Sequence, residues 1–182
     1  MLEIKKLMDA IVFASDKHRF QRRKGFLKIP YINHPLKVTK VLTDCGETNF
    51  DLLIAAVLHD TVEDTDASLP EITVLFGETV ARLVEEVTDN MLLPQKERKE
   101  LQVQKAPKLS ADAKKIKIAD KICNINDLVN YPINWSEARK IEYVDWSERV
   151  FEGLKGVNLE LDLLFVDTIE MARQRLKYFL FM

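Results

Sequence analysis

Cysteine is almost absent. Cys45 and Cys123 stand alone, with no CxxC or knuckle spacing, so a disulfide framework and a thiolate metal knuckle are both excluded. Each reads as a small buried hydrophobe in a reducing compartment, and neither is expected to be catalytic. Glycine and proline are scarce too, five and six of 182 residues, which argues against fibrous and disordered classes and favours helix. Alternating apolar runs, hairpin turns, internal repeats and low-complexity tracts are missing. No stretch approaches the ~18 apolar residues of a membrane span. The opening MLEIKKLMDA carries an acid at Glu3 where a signal peptide needs an apolar core. A cytoplasmic protein that engages no membrane is therefore expected. The net charge is only −2, so nothing attracts nucleic acid globally, and a polyanion could be held only by a local cluster.

What is present is a chain 47% hydrophobic and 31% charged, long enough to bury roughly 70% of its unfolded surface in one core. The expectation is one all-α domain over residues 1–182, with a core of about 14–158 and a C-terminal helix over 158–182. Apolar stripes mark an amphipathic helix from Glu3 to about Gln21 and another from Pro35 to Gly46. Ser68 with Glu71, Ser110 and Ser136 mark further helix starts, and Gln95–Lys105 reads as a charged, exposed helix. The apolar tail Tyr178–Met182 should dock on the core or on a second subunit, which would make a homo-oligomer.

One stretch organises the rest. LLIAAVLHDTVEDT, Leu52 to Thr65, begins with seven apolar residues and then crowds in His59, Asp60, Glu63 and Asp64. If the helix continues, three- and four-residue spacing brings His59 toward Glu63, and Asp60 toward both later acids. Three carboxylates in a dry place need a proton or a cation among them. His34 sits on a proline-stiffened helix start in PYINHP, and Asp120 falls on the inward stripe of the helix that Ser110 caps. Lys117 and Lys121 could snorkel past Asp120, which is its bland reading. His34, His59, Asp60 and Asp120 together offer two imidazoles and two carboxylates. That donor set suits Mn²⁺ or Fe²⁺ and leaves positions open to water and substrate. Glu63 or Asp64 would then take the water's proton, which outlines a phosphohydrolase.

The extended pattern is more specific than the His-Asp pair. RRK at Arg22–Lys24, PYINHP, AAVLHDTVEDT, FG at Phe76–Gly77, VEEVTD at Val84–Asp89, ADKICN at Ala119–Asn124 and WSEARKIEY at Trp135–Tyr143 resemble the hydrolase domain of the RelA/SpoT family within the HD superfamily. The likeness is especially to its small stand-alone alarmone hydrolases, including the metazoan SpoT homologue type, and it covers about Ala14 to Asn158. The resemblance implies a single HD-superfamily helical domain and a Mn²⁺-dependent enzyme that removes pyrophosphate from the 3′ position of (p)ppGpp, leaving GDP or GTP. By motif, His34, His59, Asp60 and Asp120 match the metal ligands, and Glu63 and Asp64 the pair that positions and activates water. Arg23 and Lys24 resemble residues flanking the nucleotide, and Asn124 and Tyr143 residues that hold base and sugar. Six cations between Lys17 and Lys28 would then form a rim that attracts a polyphosphate despite the acidic chain. Because 182 residues leave no space for the synthetase and regulatory domains of full-length bifunctional relatives, synthesis is expected to be absent. The rival readings are an HD phosphohydrolase acting on NADPH as a 2′-phosphatase, on ppApp or on another nucleotide, and a non-catalytic nucleotide-sensing domain.

Overall fold

The computed structural model describes residues 2–178, and among them are ten α-helical segments and no β-strand. In order these are α1 (Leu2–Lys17), α2 (Asn33–Asp44), α3 (Phe50–Leu58), α4 (Thr61–Asp64), α5 (Leu69–Phe76), α6 (Glu78–Val87), α7 (Gln95–Lys105), α8 (Ala111–Asn130), α9 (Glu137–Phe151) and α10 (Leu159–Tyr178). A 3-10 turn, Ala106–Lys108, joins α7 to the start of α8.

The seven-residue apolar run explains the layout. Every residue from Leu52 to Leu58 is buried, so α3 must be covered on all sides, and it is packed by α1, α2, α6 and α8. Small residues face α3 from α1, whose buried positions are Ala10 and Ala14. The second central element is α8, which also touches α2, α6, α9 and α10. On its far side α10 inserts Leu161, Phe165, Ile169, Ala172 and Leu176. Phe165 stacks on Phe151 of α9 at 4.1 Å between ring centres.

Local chemistry sets the boundaries. Asn49, Ser68, Ser110 and Ser136 each accept a backbone N–H in the first turn of α3, α5, α8 and α9. Gly77 at φ 89° ends α5 and starts α6 without an intervening loop, a turn that favours glycine. The loop after α1 folds back on itself through a bridge between Arg22 and Pro30. Gly25 at φ 123° then lies so close to the chain after α8 that an added Cβ would sit 3.0 Å from the Pro132 carbonyl oxygen.

In one place the chain departs from the expected continuous helix. The core helix ends at Leu58, and a separate short turn, α4, begins at Thr61. Asp60, with ψ near −5°, opens the turn between them. Side chains take over the freed carbonyls: the Thr61 hydroxyl donates to Leu58 O at 2.7 Å, and the His59 ring lies 2.8 Å from Ala56 O through Nδ1. His59 and Asp60 therefore sit at a helix break. The expected docking of the Tyr178–Met182 side chains lies outside the described residues.

Candidate active site

Three parts of the fold deliver the polar residues to one place. His34 comes from the first turn of α2, His59 and Asp60 from the break after α3, and Asp120 from the middle of α8. Ligand atoms of His34, His59 and Asp120 lie within 4.8 Å of one another. Asp60 Oδ2 is 3.1 Å from His59 Nε2 and 3.7 Å from His34 Nε2, and Asp120 Oδ1 is 3.0 Å from His34 Nε2 and 3.8 Å from His59 Nε2.

The His59 ring tests whether this group fits a cation. The Ala56 carbonyl can only accept, so Nδ1 must carry the proton and donate to it. Nε2 then faces two carboxylates, buried and without a hydrogen bond. A bare lone pair there is repelled, and a positive centre is required. In the ion-free protein that centre is a proton: burial opposes charge on the ring, but Asp60 and then Asp120 outweigh it and lift the imidazole to about 9. His34 goes the other way, pushed down by burial despite its bond to Asp120. Burial would raise both aspartates, yet the two imidazoles hold Asp60 and Asp120 below the usual carboxylate range, with Lys121 assisting at Asp120. His34, His59 and Asp120 bring two nitrogens and one anionic oxygen within 4.8 Å of one another, and Asp60 Oδ2 lies outside that group but beside both imidazoles, a donor set that fits a borderline-hard divalent ion.

Glu63 and Asp64 lie beside the cluster in unlike settings. Glu63 accepts the backbone N–H of Asp89 at 3.0 Å and lies 3.8 Å from Arg98. Burial, reinforced by Asp89 and Asp60, pushes its carboxyl up to about 7. Asp64 is exposed and accepts from Gln21 at 2.9 Å. A cavity of about 220 Å³ reaches all four ligand candidates and both acids, and it continues into one of about 400 Å³. The two share eight lining residues, Arg23, Tyr31, Glu63, Asp64, Arg98, Asn124 and Tyr143 among them. Basic and aromatic side chains, Lys24, Lys28, Tyr131 and Trp135 among them, line the larger one. Tyr143 stands on the shared wall between Trp135 and Trp146, with ring centres 5.8 and 5.3 Å away.

Arg23 is placed differently from the rim charge expected of it. Its guanidinium donates to Asn124 Oδ1 at 2.6 Å and to Asp127 Oδ2 at 3.0 and 3.2 Å. Asp127 also receives Lys37 at 3.1 Å. Arg23 thus ties the loop after α1 to α8, and Asn124, held by it, donates to Asp120 Oδ1 at 2.6 Å. With both partners less than one-fifth exposed, Arg23→Ala is expected to lower stability by about 2 kcal/mol in chemical denaturation. A loss under about 0.5 kcal/mol would return Arg23 to the status of a surface charge.

Other residues of the site gave no signal in the sequence. Tyr31, inside PYINHP, donates its hydroxyl to Asp60 Oδ2 at 2.7 Å, a bond spanning 29 positions that no local spacing suggests. Lys121 does not snorkel: it is buried, 4.2 Å from the centre of the Trp146 ring. Asp127 could have been sought as the face-mate of Asn124 and Asp120 on α8, at three- and four-residue steps.

The HD domain family matches residues 10–152. The human guanosine-3′,5′-bis(diphosphate) 3′-pyrophosphohydrolase MESH1 is 51% identical over 162 residues, covering 88% of this chain and 90% of that protein. This chain belongs to the HD domain family. Its relationship to the MESH1 group extends to the Drosophila melanogaster protein of the same name, 45% identical over 172 residues and covering 93% of this chain and 94% of that one. A solved structure described as a metazoan ortholog of SpoT that hydrolyzes ppGpp superposes on the HD domain with a TM-score of 0.88 at 43% identity, covering 91% of this chain and 94% of that one. The all-α HD architecture expected from the motifs is the one observed. No helix among the described residues is long and apolar enough to cross a membrane.

Proposed function

We propose that this chain is a guanosine-3′,5′-bis(diphosphate) 3′-pyrophosphohydrolase, a metal-dependent enzyme of the HD type like the relatives whose name it would share. The observation that carries the reading is the unpartnered His59 Nε2 facing two carboxylates at the floor of a cavity that opens into a basic, aromatic cleft. His34, His59, Asp60 and Asp120 would hold the ion, Mn²⁺ by preference and Fe²⁺ as the alternative. When bound, it supplies Lewis acidity toward a water and a phosphoryl oxygen.

The remaining work falls to the chain's own groups. Glu63, held by the Asp89 N–H beside the cluster, accepts the proton of the attacking water, and Asp64 on the exposed side helps to orient that water. Water oxygen joins the phosphorus on O3′, the bond from that phosphorus to O3′ breaks, pyrophosphate departs and O3′ regains a proton. Lys24 and Lys28 offer positive charge to the phosphates in the larger cavity, Arg98 does so where the two cavities meet, and Tyr143 with Trp135 offers apolar faces to the base. Asn124 is committed to Asp120 and Arg23, and its carboxamide steadies the ligand as well as bordering the nucleotide. Two buried, unpaired cysteines fit a reducing, cytoplasmic setting.

The test is product analysis by ion-exchange chromatography with purified protein, Mn²⁺, and ppGpp, ppApp and NADPH supplied in parallel at equal concentration. Release of GDP and pyrophosphate, abolished by chelation, is the expected result. Turnover of only ppApp or NADPH would keep the metal chemistry and overturn the guanine assignment. No turnover with metal bound would make this a nucleotide-sensing domain.

A further inference from the structure

Glu63 is the end of a chain of hydrogen bonds rather than an isolated acid. Its Oε2 accepts the backbone N–H of Asp89, and the Asp89 carboxylate in turn accepts Gln102 Nε2 at 2.5 Å. The other end of Gln102, Oε1, accepts Lys121 Nζ at 3.1 Å. Lys121 is buried against Trp146 and lies 3.7 Å from Asp120 Oδ2. A continuous polar path thus joins the candidate proton acceptor to a candidate metal ligand through three segments far apart in sequence. The carboxamide orientation is fixed by its neighbours, because a carboxylate only accepts and an ammonium only donates.

Gln102 is the node of this path, and its helix is an unusual carrier. α7 buries no residue; it is attached by half-buried Val103 against the core, by Lys99, whose carbonyl accepts Trp146 Nε1 at 3.0 Å and whose ammonium lies over the Trp146 ring, and by the Arg149–Glu100 pair. Asp89 itself lies in irregular chain just beyond α6, and its hydrogen bonds run to Glu63 through the backbone N–H and to Gln102 through the carboxylate. Misplacement of a reacting group by about 1 Å can cost a hundredfold in rate.

We infer that Gln102 is a positioning residue: through Asp89 it holds the backbone donor that aims Glu63, and through Lys121 it sets an ammonium against Asp120. The inference rests on the phosphohydrolase reading above. Gln102→Met keeps the side chain's length and removes both polar atoms. Its kcat for ppGpp with Mn²⁺ is expected to fall tenfold or more, with KM within twofold and bound Mn²⁺ unchanged. The double variant Asp89→Asn/Gln102→Glu exchanges amide and carboxylate, preserving the bond between them and the acceptor for Lys121. It should recover most of the kcat that either single change loses. A kcat within twofold of wild type in Gln102→Met overturns the inference, as does a loss that the exchanged pair fails to restore. If Gln102→Met melts early, the exchanged pair alone decides in the same way. Inactivity of the wild type shows in the control itself; it removes the phosphohydrolase reading and the inference with it.

Discussion

Glu63→Gln is expected to lower kcat about a thousandfold while bound metal and KM stay near their wild-type values. The substitution is narrow in its effect because the new carboxamide oxygen can still accept the Asp89 N–H that holds Glu63 Oε2 at 3.0 Å, so the loop after α6 keeps its anchor. What disappears is basicity. In the ion-free protein burial lifts Glu63 to about 7, which is high for a carboxylate and suited to taking a proton near neutral pH. A base works only when deprotonated, so kcat/KM of the wild type should rise with pH through the Glu63 pKa. A dication nearby favours the carboxylate and moves that acid limb below about 7. Glu63→Gln should remove the limb as well as the rate. Turnover within tenfold of wild type would shift the role to Asp64, which is exposed and bonded to Gln21.

Much of this arrangement was legible in the chain because it is encoded locally. The bounds Gln95–Lys105 of α7 follow from Pro94 before it and Pro107 after it, and the α8 start follows from Ser110, whose hydroxyl accepts Ala113 N. The seven-residue apolar run of α3 announced a helix covered on all sides, and it is. His34 and Asp120 could be suspected because polar groups on inward stripes need a partner. The partners themselves could not be named, since Tyr31 to Asp60, Arg23 to Asp127 and Lys121 to Gln102 are tertiary bonds with no periodic signature. The break at His59–Asp60 was hidden for a different reason. Helix propensity favours continuation through Ala55, Ala56 and Leu58, and it is overridden by side-chain bonds to the Ala56 and Leu58 carbonyls. That break also changes the meaning of the motif. Three- and four-residue helical spacing was expected to bring His59 and Asp60 to the later acids as well as to His34 and Asp120; the observed turn aims them at His34 and Asp120 and leaves Glu63 facing Asp89. The basic cluster shows the same limit: composition marked its charge, and only tertiary structure separates Arg23, paired inward, from Lys24, exposed at the larger cavity.

Asp120→Ala is expected to abolish metal binding and turnover together, and thermal melting separates this from simple unfolding. An ion that binds only the folded state at a hundred times its dissociation constant stabilises it by about 2.7 kcal/mol, which for a chain of this size raises the wild-type Tm by roughly 5–10 °C. The variant should show no such rise with added Mn²⁺. Its ion-free form should be destabilised, because His34 Nε2 and Asn124 Nδ2 lose their acceptor, but part of the network survives. Asn124 remains bonded to Arg23, and the Lys121 amine keeps Gln102 and, with its pKa already lowered by burial, can shed its proton. His59 also loses one of the two carboxylates that hold it protonated, so its pKa should fall from about 9 in the ion-free state. An NMR titration of the imidazole would register that change without any metal present. A Mn²⁺-induced rise in Tm of wild-type size in Asp120→Ala would show that the ion is held without α8, and the proposed four-ligand set would be wrong at its most buried carboxylate.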